Sequence, residues 1–287
     1  MPADAFSSDF SILIPVALPS SGPALLRVAR LFAPPESLRV TALHCWDERE
    51  FRSQAYEHRN EGIIDSPLVP LLDSADAVEV DPLCFVSADI GHDIVSIARE
   101  RFTDLILMGW HRPMTHDDES TGPVDTVLQD ADSDVALLLS RRFRPVRRVL
   151  VPYYGGLHDR RALVLAGRIA RGPASAVTVL HVVNPKGTDS PGLRQSGLVD
   201  KSNDGEVRLK VVEHDNPVDA AIHEAWLGYD LIIAGASETW GVNESPFSEG
   251  LQRLAFATPA SLLVVHAGRA HAPSRWAPES AVLNTSD

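Results

Sequence analysis

One phrase occurs twice in this chain at a fixed distance. VTALHCW from Val40 and VTVLHVV from Val177 lie 137 residues apart. ILIPV from Ile12 and VLVPY from Val149 are separated by the same 137 residues. DLILMG from Asp104 and DLIIAG from Asp230 follow at an offset of 126, as do VALLL at 135–139 and SLLVV at 261–265. Matching phrases in the same order mark an internal duplication. The offset falls by 11 because the first copy is longer between residues 47 and 103. SRRFRPVRR at 140–148 joins the copies.

Each copy alternates two periodicities. Short runs of Val, Ile and Leu bounded by Gly, Pro or polar clusters suit strands buried on both faces, as in a parallel sheet. Between them lie helical stripes: Val124, Val127, Leu128 and Ala131; Leu163, Ala166, Ile169 and Ala170; Val218, Ala221, Ile222 and Ala225. The alternation predicts an α/β chain of two tandem doubly wound, Rossmann-like parallel-sheet domains, residues 10–140 and 146–266, packed as a pseudo-dimer. Ligands in such sheets bind beyond the carboxyl ends of the strands, where strand order reverses. Residues 47–80 read as a helix or an ordered loop. The tail at 267–287 has no periodicity and is expected to be disordered.

Composition narrows the function classes. With 287 residues and 44% hydrophobic content, each copy can bury a core. A net charge of −13 works against nucleic acid and anionic membranes as partners. Cys45 and Cys84 read as buried free thiols, which fits a reducing compartment. The N-terminus lacks the layout of a signal peptide, and no apolar run reaches the roughly 18 residues of a membrane span. The expectation is a soluble, cytoplasmic chain.

The order of these phrases resembles that of universal stress protein domains, twice over. The likeness rests on an ILVPV-type first strand, a second strand ending in His-Val, a DLI-x-x-G fourth strand and a closing LLVV strand. LPSSGPALLRVARLF, ILMGWHRP and VLVPYYGGLHDRRALVLAGRIA are similar, more narrowly, to the cytosolic C-terminal part of bacterial cation/proton antiporters. That resemblance implies a non-catalytic regulatory module on the cytoplasmic side of a membrane. It would sense a ligand or mediate dimer contacts, with the antiporter's membrane domain and a second copy of itself as partners. The alternative it implies is a free-standing tandem stress protein that binds an adenine nucleotide. A hydrolase or nucleotidyl transferase on the same sheet is a third reading.

Nucleotide-binding members of the family carry G-x2-G-x9-G-[ST] after the fourth strand, because backbone N–H groups must approach phosphates closely. Here the first copy keeps the spacing as Gly109, Arg112 and Gly122-Pro123, and the second reads Gly235, Glu238 and Ser248-Glu249. The family's nucleotide-contacting Asp at the end of the first strand is replaced by Ala17 and Tyr154. These departures predict weak or no ATP binding. The candidate ligand site is Gly109, Trp110, His111, Arg112 and Gly122. Arg112 and His111 would face an anion, and Trp110 would stack on a base. The competing reading has Trp110 packing the sheet edge and Arg112 as a solvated charge. An adenine nucleotide such as AMP, or a cyclic dinucleotide, is the ligand class left open. Glu238 and Glu249 would repel phosphate in the second copy, so any phosphate-bearing ligand is expected in the first.

Other chemistry-bearing residues are weaker signals. His-Asp occurs at 92–93, 116–117, 158–159 and 214–215, at least three of them at loops or helix starts, where Asp caps. HRPMTHDDES at 111–120 reads as a polar loop before it reads as a metal site. His44 and His181 hold equivalent positions, as duplication requires. No catalytic residue and no metal set is expected. Arg141, Arg142, Arg144, Arg147 and Arg148 make the joint basic. They read as a solvated linker with carboxylate partners, or as a contact to anionic lipid.

Overall fold

The computed structural model describes residues 9–48, 51–52, 66–110, 122–141, 145–172, 175–184, 207–236 and 249–270. The first copy supplies β1 (Phe10–Pro15), α1 (Gly22–Ala29), β2 (Leu38–Asp47), α2 (Val69–Asp73), β3 (Glu79–Ser87), α3 (Ile90–Glu100), β4 (Leu105–Gly109), α4 (Pro123–Asp130) and β5 (Asp134–Leu139). The second supplies β6 (Arg148–Tyr153), α5 (Leu157–Ala170), β7 (Ala176–Val183), β8 (Val207–Glu213), α6 (Pro217–Ala225), β9 (Leu231–Gly235), α7 (Glu249–Ala257) and β10 (Ser261–His266).

The ten strands of the described residues form one sheet in the order β3-β2-β1-β4-β5-β10-β9-β6-β7-β8. Each half has the doubly wound order 3-2-1-4-5, with parallel pairing throughout. Strand order reverses between β1 and β4, and again between β6 and β9. The halves meet through antiparallel β5 and β10, from Leu262 opposite Leu139 to His266 opposite Val135. The expected pairing of two copies therefore takes the form of a continuous sheet whose second half runs in the opposite sense.

Apolar residues on both faces of the central strands explain why helices cover both sides. On one face Ile12, Ile14, Val149 and Val151 pack with α1 and α5. On the other, Leu13, Ile106, Leu150 and Ile232 pack with α3, α4, α6 and α7. Both clusters draw on both copies, so among the described residues neither core belongs to one copy alone. The helical stripes face inward: Val127, Leu128, Ala131, Leu163, Ala166, Ile169, Val218, Ala221 and Ala225 are buried. Val124 and Ile222 pack at the margin of one core and Ala170 at the margin of the other.

The duplication extends to individual hydrogen bonds. Asp104 Oδ2 accepts from the Ser11 N–H (2.9 Å), and Asp230 Oδ2 accepts from the N–H groups of Arg147 (2.9 Å) and Arg148 (3.0 Å). The aspartate that opens each DLI phrase thus ties down the start of the first strand. His44 Nδ1 lies 2.7 Å from Val16 O, and His181 Nδ1 lies 3.3 Å from Tyr153 O, each bridging the second strand to the end of the first.

One expectation is corrected. The cysteines are free, but they are not both buried: Cys84 is exposed and Cys45 half-buried. The reason is that β3 is an edge strand, and its residues alternate between partial burial and water. Burial, followed by Asp93 and Cys84, pushes the Cys45 thiol up to about 12, so it is held as an unreactive thiol. Within 47–80, read as a helix or an ordered loop, a short helix α2 occupies Val69–Asp73, between the end of β2 at Asp47 and the start of β3 at Glu79. Residues 49–50, 53–65 and the tail from 271 lie outside the described residues.

Candidate functional site

The carboxyl edge of each half is where a doubly wound sheet holds its ligand. In the first copy, β4 ends at Gly109, and the Trp110 N–H donates to Leu138 O (2.9 Å). The Trp110 side chain packs, partly buried, against the core under α3 and α4. Gly122 precedes α4, and its N–H donates to Asp125 Oδ2 (3.1 Å). The carboxylate of Asp125 therefore already occupies the positive end of this short helix, where a phosphate would seek its donors. His111 and Arg112 lie outside the described residues, so Gly109, Trp110 and Gly122 are the site residues the structure places.

Four neighbours were not named as site residues from the sequence. Ala17 and Leu18 leave the end of β1 exposed. Beneath them His44 is buried, and its Nε2 has no hydrogen-bond partner. Trp46 stands edge-on to the His44 ring at 4.3 Å and donates its indole N–H to Cys84 Sγ (3.1 Å). The alternation of VTALHCW placed His44 and Trp46 on one side of β2. That both approach the end of β1 follows from the register, in which Pro15 pairs with Leu43.

The second copy is built differently at the same edge. The first turn of α5 sits directly on Gly235, the last residue of β9. A Cβ there would lie 2.4 Å from Asp159 N and Oδ1 and 2.6 Å from the His158 carbonyl carbon. Asp159 is fully buried; its Oδ2 accepts from the N–H groups of Tyr154 (3.0 Å) and Gly156 (3.3 Å). Burial pushes its carboxyl up, against the pull of the backbone N–H groups of Tyr154, Gly156 and Gly155. Tyr154, just past the end of β6, points its hydroxyl to Pro217 O (2.9 Å) and spans β6 to α6. Helix backbone, a buried acid and a phenol ring thus pack together at this edge of the second copy. Glu249 opens α7 and is exposed; Glu238 lies outside the described residues.

A polar cluster crosses the seam beside α5. Arg161 pairs with Asp134 at 3.0 Å, both largely buried, and Gly268 N donates to Asp134 Oδ1 (3.1 Å). The rings of His158 and His266 lie 4.4 Å apart. Ala267 N donates to His158 Nδ1 (2.8 Å), which leaves the ring proton on Nε2. Burial pushes His158 down. Burial, and next the neighbouring His158, push His266 down to about 4, while Asp134 and the Ala267 backbone act the other way.

Three His-Asp pairs are described, and each serves local structure. Asp93 accepts from Ser87 Oγ (2.5 Å) in the first turn of α3, where Asp89 is the N-cap; Asp159 ties the start of α5; His214 accepts from Asn216 N (2.9 Å) ahead of α6. His116-Asp117 and most of HRPMTHDDES lie outside the described residues. Among the described residues no three His, Cys, Asp or Glu side chains are grouped to hold a metal ion.

Comparison with known proteins places the fold. The structure superposes on a universal stress protein from Archaeoglobus fulgidus with a TM-score of 0.62 at 14% identity, covering 91% of this chain and 98% of that one. A protein of unknown function from Pseudomonas aeruginosa superposes with a TM-score of 0.54 at 16% identity, covering 91% and 94%. The fold is that of universal stress proteins in tandem. No family model matches the chain. In sequence, the chain is 26% identical over 156 residues to cation/H(+) antiporter 15 of Arabidopsis thaliana, covering 48% of this chain. The chain spans 18% of that curated relative's length. Among the described residues, no helix is long and apolar enough to cross a membrane.

Proposed function

We propose that this chain is a non-catalytic cytosolic regulatory module of a cation/proton antiporter, working on the cytoplasmic side of the membrane beside a membrane domain. The observation that carries the reading is the sequence similarity to an antiporter, over about half the chain, in a tandem universal stress protein fold. A module of this kind biases a transporter only if its ligand or its partner contact favours one conformation over the other. The first copy is the ligand-binding half, at Gly109, Trp110, His111, Arg112 and Gly122. Asp125 already neutralises the α4 N-terminus, so Arg112 and His111 must supply the positive charge for an anion. A mononucleotide or cyclic dinucleotide asks less of such a site than ATP, whose triphosphate needs several convergent donors.

A second reading is supported by one observation. The chain spans nearly the whole of a solved universal stress protein from Archaeoglobus fulgidus, which favours a free-standing tandem stress protein binding an adenine nucleotide. Purification of the native protein from its own cells, with and without detergent, separates the two. The antiporter reading expects recovery from membranes with a polytopic protein of about a dozen apolar segments, each roughly 20 residues long. Recovery from the soluble fraction alone, with stoichiometric adenine nucleotide released on denaturation, would establish the second reading instead.

A further inference from the structure

The duplication supplies an internal control for the surface. Residues 126 apart occupy equivalent places at the ends of the helices on one face. In the first copy these are Glu100, Arg101 and Asp130; in the second they are Trp226, Leu227 and Phe256. The first set is polar, and two of its members are paired: Arg101 with Asp81 at 2.7 Å and Asp130 with Arg269 at 2.8 Å. The second set is apolar and exposed, at 63%, 57% and 68%. Trp226 donates its indole N–H to Ala257 O (2.9 Å), which holds the ring across the ends of α6 and α7 beside Phe256. A group of large apolar side chains kept in water on one copy, at positions the other copy fills with charge, marks an interaction surface.

The joint between the copies runs along the border of this patch. Arg141 Nη2 donates to Ala255 O (2.6 Å), next to Phe256. Arg148 Nη1 donates to Leu227 O (2.6 Å) and Gly228 O (3.2 Å), and its guanidinium lies 4.5 Å from the centre of the Tyr229 ring. Arg147 is exposed beside them. None of the ion pairs among the described residues uses these three arginines. The nearby carboxylates are engaged elsewhere: Asp230 by the backbone of Arg147 and Arg148, Glu224 by Lys210 and Tyr229, and Asp219 by Arg253. Among the described residues of the joint, the side chains of Arg141, Arg147 and Arg148 are thus not ion-paired, while Arg142 and Arg144 lie outside the described residues. The guanidinium groups of Arg141 and Arg148 cap helix ends through backbone carbonyls, with N–H groups to spare.

We propose that this face docks on an anionic lipid bilayer, with Trp226, Leu227 and Phe256 in the headgroup boundary and Arg141, Arg147 and Arg148 on lipid phosphates. Tryptophan and phenylalanine with a basic border is the chemistry of an interfacial anchor. A second copy of the chain is a poorer occupant, because a two-fold contact centred on this patch would bring the two arginine groups together. The net charge of −13 does not forbid the contact. Charges farther than about 8–10 Å are screened at physiological ionic strength, and the local sign decides. The inference does not depend on the transporter reading.

Vesicle flotation tests it. The intact chain is expected to float with vesicles of 7:3 phosphatidylcholine:phosphatidylglycerol at low salt and to be released by added salt. It should not float with pure phosphatidylcholine. Leu227→Ser with Phe256→Ser, and separately Arg141→Glu with Arg147→Glu, should each weaken binding at least tenfold. Phe102→Ser should leave it unchanged, although Phe102 is 73% exposed on the first copy. Circular dichroism melts of each variant confirm folding. Equal binding to both vesicle types, no binding to either, or equal losses in the Phe102 variant would overturn the proposal. So would a chain dimer that the Leu227/Phe256 variant dissolves while vesicles are ignored.

Discussion

A half-buried histidine that cannot easily take a proton makes stability depend on pH. His266 is pushed down to about 4 by burial and by the His158 ring, and Asp134 with its partner Arg161 stands on the other side. The unfolded chain binds that proton near pH 6.5. Its contribution to stability is therefore complete above about pH 6.5 and is lost as pH falls toward 4. Asp159 works in the opposite sense, because its carboxyl is pushed up in the folded state. The comparison that isolates His266 is between the native chain and His266→Gln. Urea midpoints measured from pH 7.5 to 4.5 should fall less steeply in the variant; parallel curves would remove His266 as the source. Arg112 makes a second residue-level case. If it supplies the positive charge of the first-copy site, Arg112→Glu should weaken binding of a phosphate-bearing ligand at least tenfold, about 1.4 kcal/mol. A calorimetric titration that is unmoved by this change, yet lost on changing Glu238, would reverse the assignment of copies.

At the level of elements, one close contact shapes the carboxyl edge of the second copy. Gly235 ends β9 under the first turn of α5, where a methyl group would meet backbone atoms of His158 and Asp159. Backbone cannot yield as a side-chain tip can, so Gly235→Ala should destabilise the chain by about 1–3 kcal/mol. Denaturant unfolding would show it, and an unchanged midpoint would mean that α5 is not seated there. The glycine itself was legible as the last letter of DLIIAG. What it packs against was not, because the partner comes from another part of the chain. Buried strands and the helical stripes were legible because both faces of the sheet are apolar. The edge strand β3 was not, because half of it faces water and its pattern reads as polar. Likewise the repeated Asp104 and Asp230 were visible as an echo, while their work of tying down β1 and β6 appears only in three dimensions. The arginine joint was read as a linker, and its placement against Trp226 and Phe256 needed the packing of α6 and α7.

For the whole molecule, duplication matters because the copies share more than a covalent link. β5 and β10 continue one sheet, and both core clusters span the seam. Arg161 of the second copy reaches Asp134 of the first, Arg141 N donates to Ser261 Oγ (3.1 Å), and Arg168 lies 4.0 Å from the centre of the Phe10 ring. A ligand held at the first copy would therefore act on a body continuous with the apolar face of the second. Hydrogen–deuterium exchange of the intact chain tests that continuity most directly. The amides of Asp134–Leu139 and Ser261–His266 are predicted to exchange as slowly as those of β4 and β9, and more slowly than the edge strands β3 and β8. Exchange of β5 and β10 at edge-strand rates, while β4 and β9 stay protected, would show two separate sheets and contradict it.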